Sequence, residues 1–344
     1  MMHHTPRSNR LRPLLCSALL GVAAMFTSLP QLALAQTTMK LASATINDVQ
    51  HEWQKEFAKG LQARVGDQIN TEIYPASQLG TIPRMTEGVL FGTIELFTTP
   101  TSFLVGTDAR FQVFEAPGLF DSPQHLKTVL HEPEYRQHIE ELALNKGLRI
   151  VGVIYNSPLI LTSTQPVKSL DGLAGLKIRT FASPLQTEPM KAFGASPLPL
   201  ALSEVVPALQ SGNIDGMLAG MPILTAFKFY DVSKYVLDLK FAYVVSVSVV
   251  NELWFQSQPE AVRAAILAAG REAEESVFPW GVANVERTEQ LWVENGGEIF
   301  PLTADERSHM MMVFQDISDK LLSQDEAVAA EYTRMKDLAA AQRP

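Results

Sequence analysis

Apolar residues in the first part of the chain recur with periods that predict strands alternating with helices. Between Asp48 and Gly66 they recur every four residues, which is the stripe of an amphipathic helix: Trp53, Phe57, Leu61 and Val65. Short strands are predicted on either side, at 40–42 and 70–74. A helix over Met85–Phe91 and a strand at 93–97 follow. This alternation favours an α/β fold with parallel strands.

A short internal repeat indicates two lobes of similar construction. Leu209–Asp215 repeats the order of Val89–Glu95: a helix end, a glycine, a polar residue, isoleucine and an acid. Chance is the alternative explanation, because the matching stretch is short. The chain is predicted to cross between the lobes near Asn156–Pro158 and to cross back along Phe241–Val250, a long β-branched run.

The C-terminal part is predicted to be helical. A helix over Pro259–Glu294 is long enough to pack across both lobes, with a bend at Pro279. A capping box at Thr303–Glu306 opens a surface helix. The apolar stripe of that helix is Val313, Ile317 and Leu321. We therefore expect lobe I to contain residues 36–157 and 246–285, and lobe II to contain residues 158–245 and 286–344.

The first 35 residues have the pattern of a secretory signal. Three arginines precede an apolar stretch over 14–26, and Ala33-Leu34-Ala35 provides a small-x-small cleavage site. The apolar stretch is shorter than the ~20 residues that a retained membrane anchor needs. Cleavage is therefore predicted after Ala35, and the mature chain is expected in the periplasm.

Removing this segment changes the composition. Of 344 residues with a formal charge of −9, the mature chain keeps 309, and its charge becomes −12 because only three basic residues leave. It also loses Cys16, the one cysteine, so no disulfide or cysteine zinc site is expected. No Lys/Arg-rich run offers a surface for nucleic acid, and no second apolar run would insert the mature chain into a membrane.

Catalytic and metal-binding patterns are absent from the sequence. It contains no Gly-x-Ser-x-Gly, no His-Glu-x-x-His and no phosphate-binding glycine loop, so an enzyme is disfavoured and no cofactor is expected. His131 and His138 stand seven apart in a polar stretch, which is explained by a solvated helix face rather than a metal site. His51 begins a helix just after a strand, a position that faces the cleft in open α/β sheets.

Arg179 is the strongest candidate for ligand binding. It ends a short strand, and Ser183 caps a helix predicted over Pro184–Phe193, with Gly194 beyond its end. A guanidinium beside a helix N terminus favours an anion, and a bidentate pair with a carboxylate is its natural use. An arginine that is merely solvated, or paired with a nearby acid, is the alternative.

Six short motifs follow one another along the mature chain: Tyr74–Gly80, Gly175–Arg179, Gly194–Pro197, Ser203–Val205, Ala208–Gly216 and Lys228–Val232. In these motifs and their order, the chain resembles the DctP-type solute receptors of TRAP transporters over nearly its whole mature length. The resemblance implies a two-lobed, type II-like periplasmic-binding-protein fold of the α/β class, with hinge strands and a long lobe-spanning helix. It also implies an organic acid bound in the cleft and delivered to the subunits of a membrane permease that an ion gradient drives, without catalysis.

In that family the arginine of the Lys-x-Arg strand binds the ligand carboxylate, which carries over to Arg179. The sialic-acid branch has arginines where Leu159 and Phe103 stand, an acid at Pro100 and a small polar residue at Ala182, so sialate is not expected. A less polar monocarboxylate is favoured, with a dicarboxylate as the near alternative. The candidate ligand contacts are Arg179, Asn156, Phe181, Thr99, Thr101, Met217 and His51.

Two other functions stay open at the level of the sequence. The same fold serves ligand sensors that act on membrane signalling proteins. A periplasmic enzyme acting on carboxylic acids would need a paired acid and base, and the sequence offers only His51 and Glu52, which face different ways on a helix.

Overall fold

The computed structural model describes residues 37–343, so the predicted signal segment and its cleavage site lie outside the described residues. The strands are β1 (Thr37–Ser43), β2 (Ile69–Tyr74), β3 (Leu96–Pro100), β4 (Leu148–Pro158), β5 (Ile160–Ser163), β6 (Lys177–Thr180), β7 (Ser196–Pro199), β8 (Gly216–Ala219), β9 (Tyr235–Asp238), β10 (Tyr243–Asn251) and β11 (Glu298–Pro301). The helices are α1 (Val49–Val65), α2 (Ile82–Leu90), α3 (Pro123–Leu130), α4 (Pro133–Glu141), α5 (Pro184–Ala192), α6 (Leu202–Gln210), α7 (Met221–Ala226), α8 (Glu252–Ser257), α9 (Glu260–Glu294), α10 (Ala304–Leu322) and α11 (Glu326–Ala341).

The strands form two sheets, one in each lobe of a two-lobed α/β fold. The first sheet has the order β2-β1-β3-β10-β4, in which β1 pairs in parallel with β2 and β3 while β10 runs antiparallel to β3 and β4. The second has the order β11-β9-β5-β8-β6-β7. In this second sheet β11 pairs in parallel with β9, and β6 pairs in parallel with β7 and β8, while the central strand β5 runs antiparallel to β8 and β9. The predicted alternation of strands and helices thus gives parallel pairs towards the edges of the sheets, with antiparallel strands inside them.

The two chain segments that join the sheets lie side by side. Only Leu159 separates β4 of the first sheet from β5 of the second, and residues 239–242 lead back from β9 to β10. Leu159 N–H donates to the carbonyl of Ala242 at 2.9 Å, and Lys240 N–H donates to the carbonyl of Leu159 at 3.0 Å. These hydrogen bonds pair the two crossings. The exact lobe boundaries, residues 36–157 with 246–285 and residues 158–245 with 286–344, stay a prediction.

Helix α9 spans both lobes, as predicted. Trp53 of α1 donates its indole N–H to the carbonyl of Gly270 at 3.2 Å, and Thr225 of α7 donates its hydroxyl to the carbonyl of Thr288 at 3.3 Å. A β-carbon at Gly270 would lie 1.9 Å from the carbonyl oxygen of Val151 in β4. Glycine is therefore required where the helix crosses the sheet.

A buried ion cluster fixes α9 to the first lobe. Arg136 of α4 pairs with Glu274 of α9 at 2.6 Å and with Glu140 at 3.0 Å. Glu274 also accepts the backbone N–H of Val153 in β4 at 2.7 Å. Because Arg136 and Glu274 are both buried, each charge depends on its partner.

The internal repeat has the same local structure in both lobes. In each copy a glycine with positive φ follows the helix, and the acid reaches across to the neighbouring strand. Glu95 accepts the backbone N–H of Lys40, and Asp215 accepts that of Lys177, both at 2.8 Å.

The C-terminal helices differ from the prediction in which face is buried. The capping box of α10 is present, with Glu306 N–H donating to the hydroxyl of Thr303 at 3.2 Å. However, the buried stripe of α10 is Met310, Phe314, Ser318 and Leu322, one position beyond the predicted one. The predicted side chains, Val313, Ile317 and Leu321, are half-buried beside this stripe. Helix α10 packs on α5, while α11 packs on α3 and on the 3₁₀ helix Ala109–Glu115 of the first lobe.

Candidate functional site

Arg179 lies at the carboxyl end of β6 with its side chain between the lobes. Arg179 is 1% exposed, although its side chain is long and carries a charge. Its Nε–H donates to the carbonyl of Leu200 at 3.0 Å, and Nη1 donates to the carbonyl of Leu218 at 3.1 Å. A guanidinium has five N–H groups, so these two bonds leave three donors along the Nη1–Nη2 edge, one on Nη1 and two on Nη2, without a partner in the described part of the chain. That edge has the fork geometry that a carboxylate accepts.

The charge of Arg179 has no counter-ion among the described residues. Burial lowers its pKa to about 9, and the more distant charge of Glu204 compensates only in part. The guanidinium is therefore still protonated at neutral pH but poorly solvated. A bound anion would supply the missing negative charge.

Two aromatic rings hold the guanidinium in place. Phe103, after β3, stacks on Phe181, after β6, with ring centroids 5.1 Å apart. The Cζ atom of Arg179 lies 4.6 Å from the ring centroid of Phe181 and 5.8 Å from that of Phe103. Cation–π attraction to these stacked rings therefore restricts the position of the guanidinium.

A cleft of about 490 Å³, including its mouth, opens in front of Arg179. It is lined by Ala44, Thr45, Gln50, Ile82, Thr98, Pro100, Phe103, Asn156, Ser157, Arg179, Phe181, Leu202, Ala219, Gly220, Ile223 and Val244. The second-lobe wall is apolar except for the arginine, whereas the first lobe contributes hydroxyl and amide groups. The cleft thus has one cationic end and one neutral polar side.

The polar side is built at the N terminus of α1. Asp48 caps this helix and accepts the backbone N–H of His51 at 3.1 Å. Gln50 donates its amide to Asp48 and to Thr45, both at 3.1 Å. Asp48 is fully buried, and this burial raises its pKa, while the hydrogen bonds it accepts act in the opposite direction.

The crossing strand β4 supplies the floor of the cleft. Asn156 donates its amide to the hydroxyl of Ser246 at 3.0 Å, while its Oδ1 has no partner among the described residues. Ser157 lies against Gly220, where a β-carbon would approach the serine Oγ to 1.8 Å. Only glycine lets these two walls meet so closely.

Three of the seven predicted contacts line the cleft: Arg179, Asn156 and Phe181. Thr99 does not, because successive residues of β3 face opposite sides of the sheet and Thr98 faces the cleft. Thr101 is buried in the following 3₁₀ helix, outside the cleft. Met217 lies two residues before the lining residue Ala219 in β8, and its side chain belongs to the core of the lobe.

His51 does not line the cleft either, because the residue before it occupies that position. Its Nδ1 accepts the backbone N–H of Asn47 at 3.2 Å, and the preceding Gln50 lines the cleft instead. Gln50 was missed because glutamine carries no sequence signal of its own. The capping position of Asp48 could have indicated which residues of the first turn face inward.

His131 and His138 do not form a solvated face. His131 contacts the carboxylates of Glu274 and Glu275 on α9, at 3.6 and 3.2 Å, while His138 contacts Glu331 on α11 at 2.7 Å. The two histidines thus bind different helices. Within residues 37–343 no cluster of three or more His, Cys, Asp or Glu side chains is arranged to hold a metal ion.

A hydrogen-bond network behind the aromatic pair joins the lobes. Gln186 of α5 donates to Glu115 at 2.7 Å, and Glu115 also accepts the hydroxyl of Ser102 at 2.6 Å. The side-chain oxygen of Gln186 accepts the backbone N–H of Phe181 at 3.0 Å. Burial raises the pKa of Glu115. One glutamine therefore connects the ring beside Arg179 to the first lobe.

The two-lobed fold with a cleft between its sheets is that of a solute-binding protein. Over residues 42–325 the chain matches the family model of the bacterial extracellular solute-binding proteins, family 7 (DctP), and it belongs to that family. Among the described residues, no helix has the length and apolar character needed to cross a membrane.

Relatives with descriptive names support this membership. The chain is 28% identical to the 2,3-diketo-L-gulonate-binding periplasmic protein YiaO of Escherichia coli (strain K12), covering 74% of this chain and 76% of that protein. It is 25% identical to the C4-dicarboxylate-binding periplasmic protein DctP of Rhodobacter capsulatus, covering 88% and 92%. In fold it is similar to a TRAP periplasmic solute-binding protein from Desulfovibrio salexigens with bound orotic acid, at a TM-score of 0.84 and 22% identity, covering 89% and 99%.

Proposed function

We propose that this protein is a periplasmic receptor that closes its two lobes on an organic acid, whose carboxylate is bound by Arg179. The observation that carries the proposal is a buried guanidinium at the end of a cleft between lobes, with donors left over and no counter-ion among residues 37–343. Relatives named for diketogulonate and C4-dicarboxylates, and a protein of similar fold that holds orotic acid, are consistent with such a ligand.

A monocarboxylate suits the cleft better than a dicarboxylate. Among the described residues that line it, Arg179 is the only cationic one. A second carboxylate would meet neutral hydroxyl and amide groups or the apolar wall, and would lose solvation without gaining a charged partner. Succinate is therefore expected to bind more weakly than a hydroxylated monocarboxylate of similar size.

The bound acid is then delivered to a membrane permease that an ion gradient drives. Membership of the family and the predicted export signal support this step. Uptake of the labelled acid by proteoliposomes that contain the permease should require both this protein and an ion gradient. A receptor that serves only a sensor would bind the acid without promoting its uptake.

A thermal-shift screen against a panel of organic acids tests the binding claim. A ligand at 100 times its Kd should add about 2.7 kcal/mol of stability. Arg179→Ala should abolish this stabilisation for every acid, whereas the matched control Arg84→Ala, at an exposed arginine of α2, should retain it. Equal stabilisation of Arg179→Ala and the wild type would refute the role of Arg179.

A further inference from the structure

Gln50 presents an unsatisfied oxygen to the cleft. The side chain is 1% exposed, and its Nε2 is used by Asp48 and Thr45, each at 3.1 Å. Its Oε1 is buried and has no hydrogen-bond partner among the described residues, although the residue lines the cleft. A buried acceptor left without a donor is unfavourable, and a ligand group that donates to it removes this cost.

Asp48 determines which end of the Gln50 amide faces the ligand. Oxygen and NH₂ occupy similar space, so the amide alone fits either way round. An ionised carboxylate only accepts hydrogen bonds, so the NH₂ group must face Asp48. The N terminus of α1 and the backbone N–H of His51 favour this ionised form, against the effect of burial on the pKa of Asp48. While Asp48 is ionised, Gln50 is held as an acceptor.

Asn156, the other amide of the cleft, is not fixed in this way. Its partner is the hydroxyl of Ser246, at 3.0 Å, and a hydroxyl can donate or accept. Asn156 can therefore turn its amide and present either group to a ligand. Discrimination between donor and acceptor groups rests on Gln50.

We propose that Gln50 is a specificity-determining residue that selects hydroxy acids over oxo acids and unsubstituted acids of the same skeleton, with Asp48 as its positioning residue. This inference rests on the proposed function, because Arg179 must first bind the carboxylate. A ligand hydroxyl donates to Oε1 of Gln50. An oxo group places a second acceptor against it, and a methylene group leaves it unpaired.

Titration calorimetry with matched acids tests the inference: lactate against pyruvate, and gluconate against hexanoate. In each pair that the wild type binds, the Kd of the hydroxy acid should be at least about tenfold lower than that of the other acid. Gln50→Met removes the acceptor and should reduce the preference to about twofold or less, because the hydroxy acid loses affinity while the weaker partner binds at least as tightly as to the wild type. Asp48→Asn frees the amide to turn and should relax the preference as well. The control Thr99→Val removes a buried hydroxyl outside the cleft and should keep it.

Two results would overturn the inference: no preference in the wild type, or an unchanged preference in both Gln50→Met and Asp48→Asn. Arg179→Ala separates this failure from failure of the proposed function. If Arg179→Ala abolishes binding of all acids and the wild type shows no preference, only the role of Gln50 is wrong. If Arg179→Ala binds every acid as the wild type does, or no acid in the set binds, the proposed function and this inference fail together.

Discussion

Gln186 connects ligand binding to lobe closure without lining the cleft. It joins Phe181, which packs on Arg179, to Glu115 of the opposite lobe, at 3.0 and 2.7 Å. Gln186→Met keeps the length and volume of the side chain but removes both hydrogen bonds. Because the bond to Glu115 exists only while the lobes are in contact, its loss should disfavour the closed form.

The size of the effect follows from the bond that is lost. A neutral hydrogen bond contributes up to about 1.5 kcal/mol to stability, and a charge-assisted hydrogen bond contributes at least about that much. Since about 1.4 kcal/mol corresponds to tenfold in Kd, the variant should bind its acid at least about tenfold more weakly. Leaving the carboxylate of Glu115 buried with one donor fewer adds to this loss.

Titration calorimetry of Gln186→Met with the acid that stabilises the wild type most provides the assay. Lys191→Gln is the matched control, because Lys191 lies on the exposed face of the same helix and, of the residues that the structure describes, pairs with Glu188 alone. The control should bind as the wild type does. A Kd for Gln186→Met within about threefold of the wild type, from a folded protein, would show that the inter-lobe bond does not contribute to closure.

Two predictions concern stability. Burial raises the pKa of Glu115 above its ordinary value of 4.5, so the contribution of Glu115 to the free energy of unfolding is most favourable at low pH and is lost as the pH rises through the folded-state pKa. In urea unfolding measured from acid to neutral pH, the stability of Glu115→Gln should therefore rise relative to that of the wild type. A stability difference that does not change with pH would contradict this. Arg136→Met leaves Glu274 buried without its cation and should lower the free energy of unfolding by about 3–5 kcal/mol; a loss below about 1 kcal/mol would show that the cluster is not needed to hold α9.

Much of the fold could be predicted because local signals agreed with tertiary contacts. The stripe from Trp53 to Val65 is buried as predicted, and the capping residues Asp48 and Thr303 begin their helices. The α10 stripe was wrong by one position because this helix has neighbours on two sides, so adjacent faces are both partly apolar. A helix that packs on one surface gives a clearer pattern.

The candidate site was predictable where one residue type carried the chemistry. Arg179 was identified from a charge at a strand end, whereas Thr99 and His51 each missed the cleft by one residue, since a side chain one position along points elsewhere. The bond between Gln186 and Glu115 joins residues 71 apart in sequence. No local pattern predicts such a pair, because its members meet only when two separate lobes are assembled.

The most direct measurement of the central claim is the Kd of the best-binding acid for the wild type, Arg179→Lys and Arg179→Ala by titration calorimetry. Two parallel charge-assisted bonds from the Nη1–Nη2 edge predict a rise of at least about 100-fold for the alanine variant. The lysine variant should lie between, because it keeps the charge but not the fork. A Kd for Arg179→Ala within about threefold of the wild type would contradict the account.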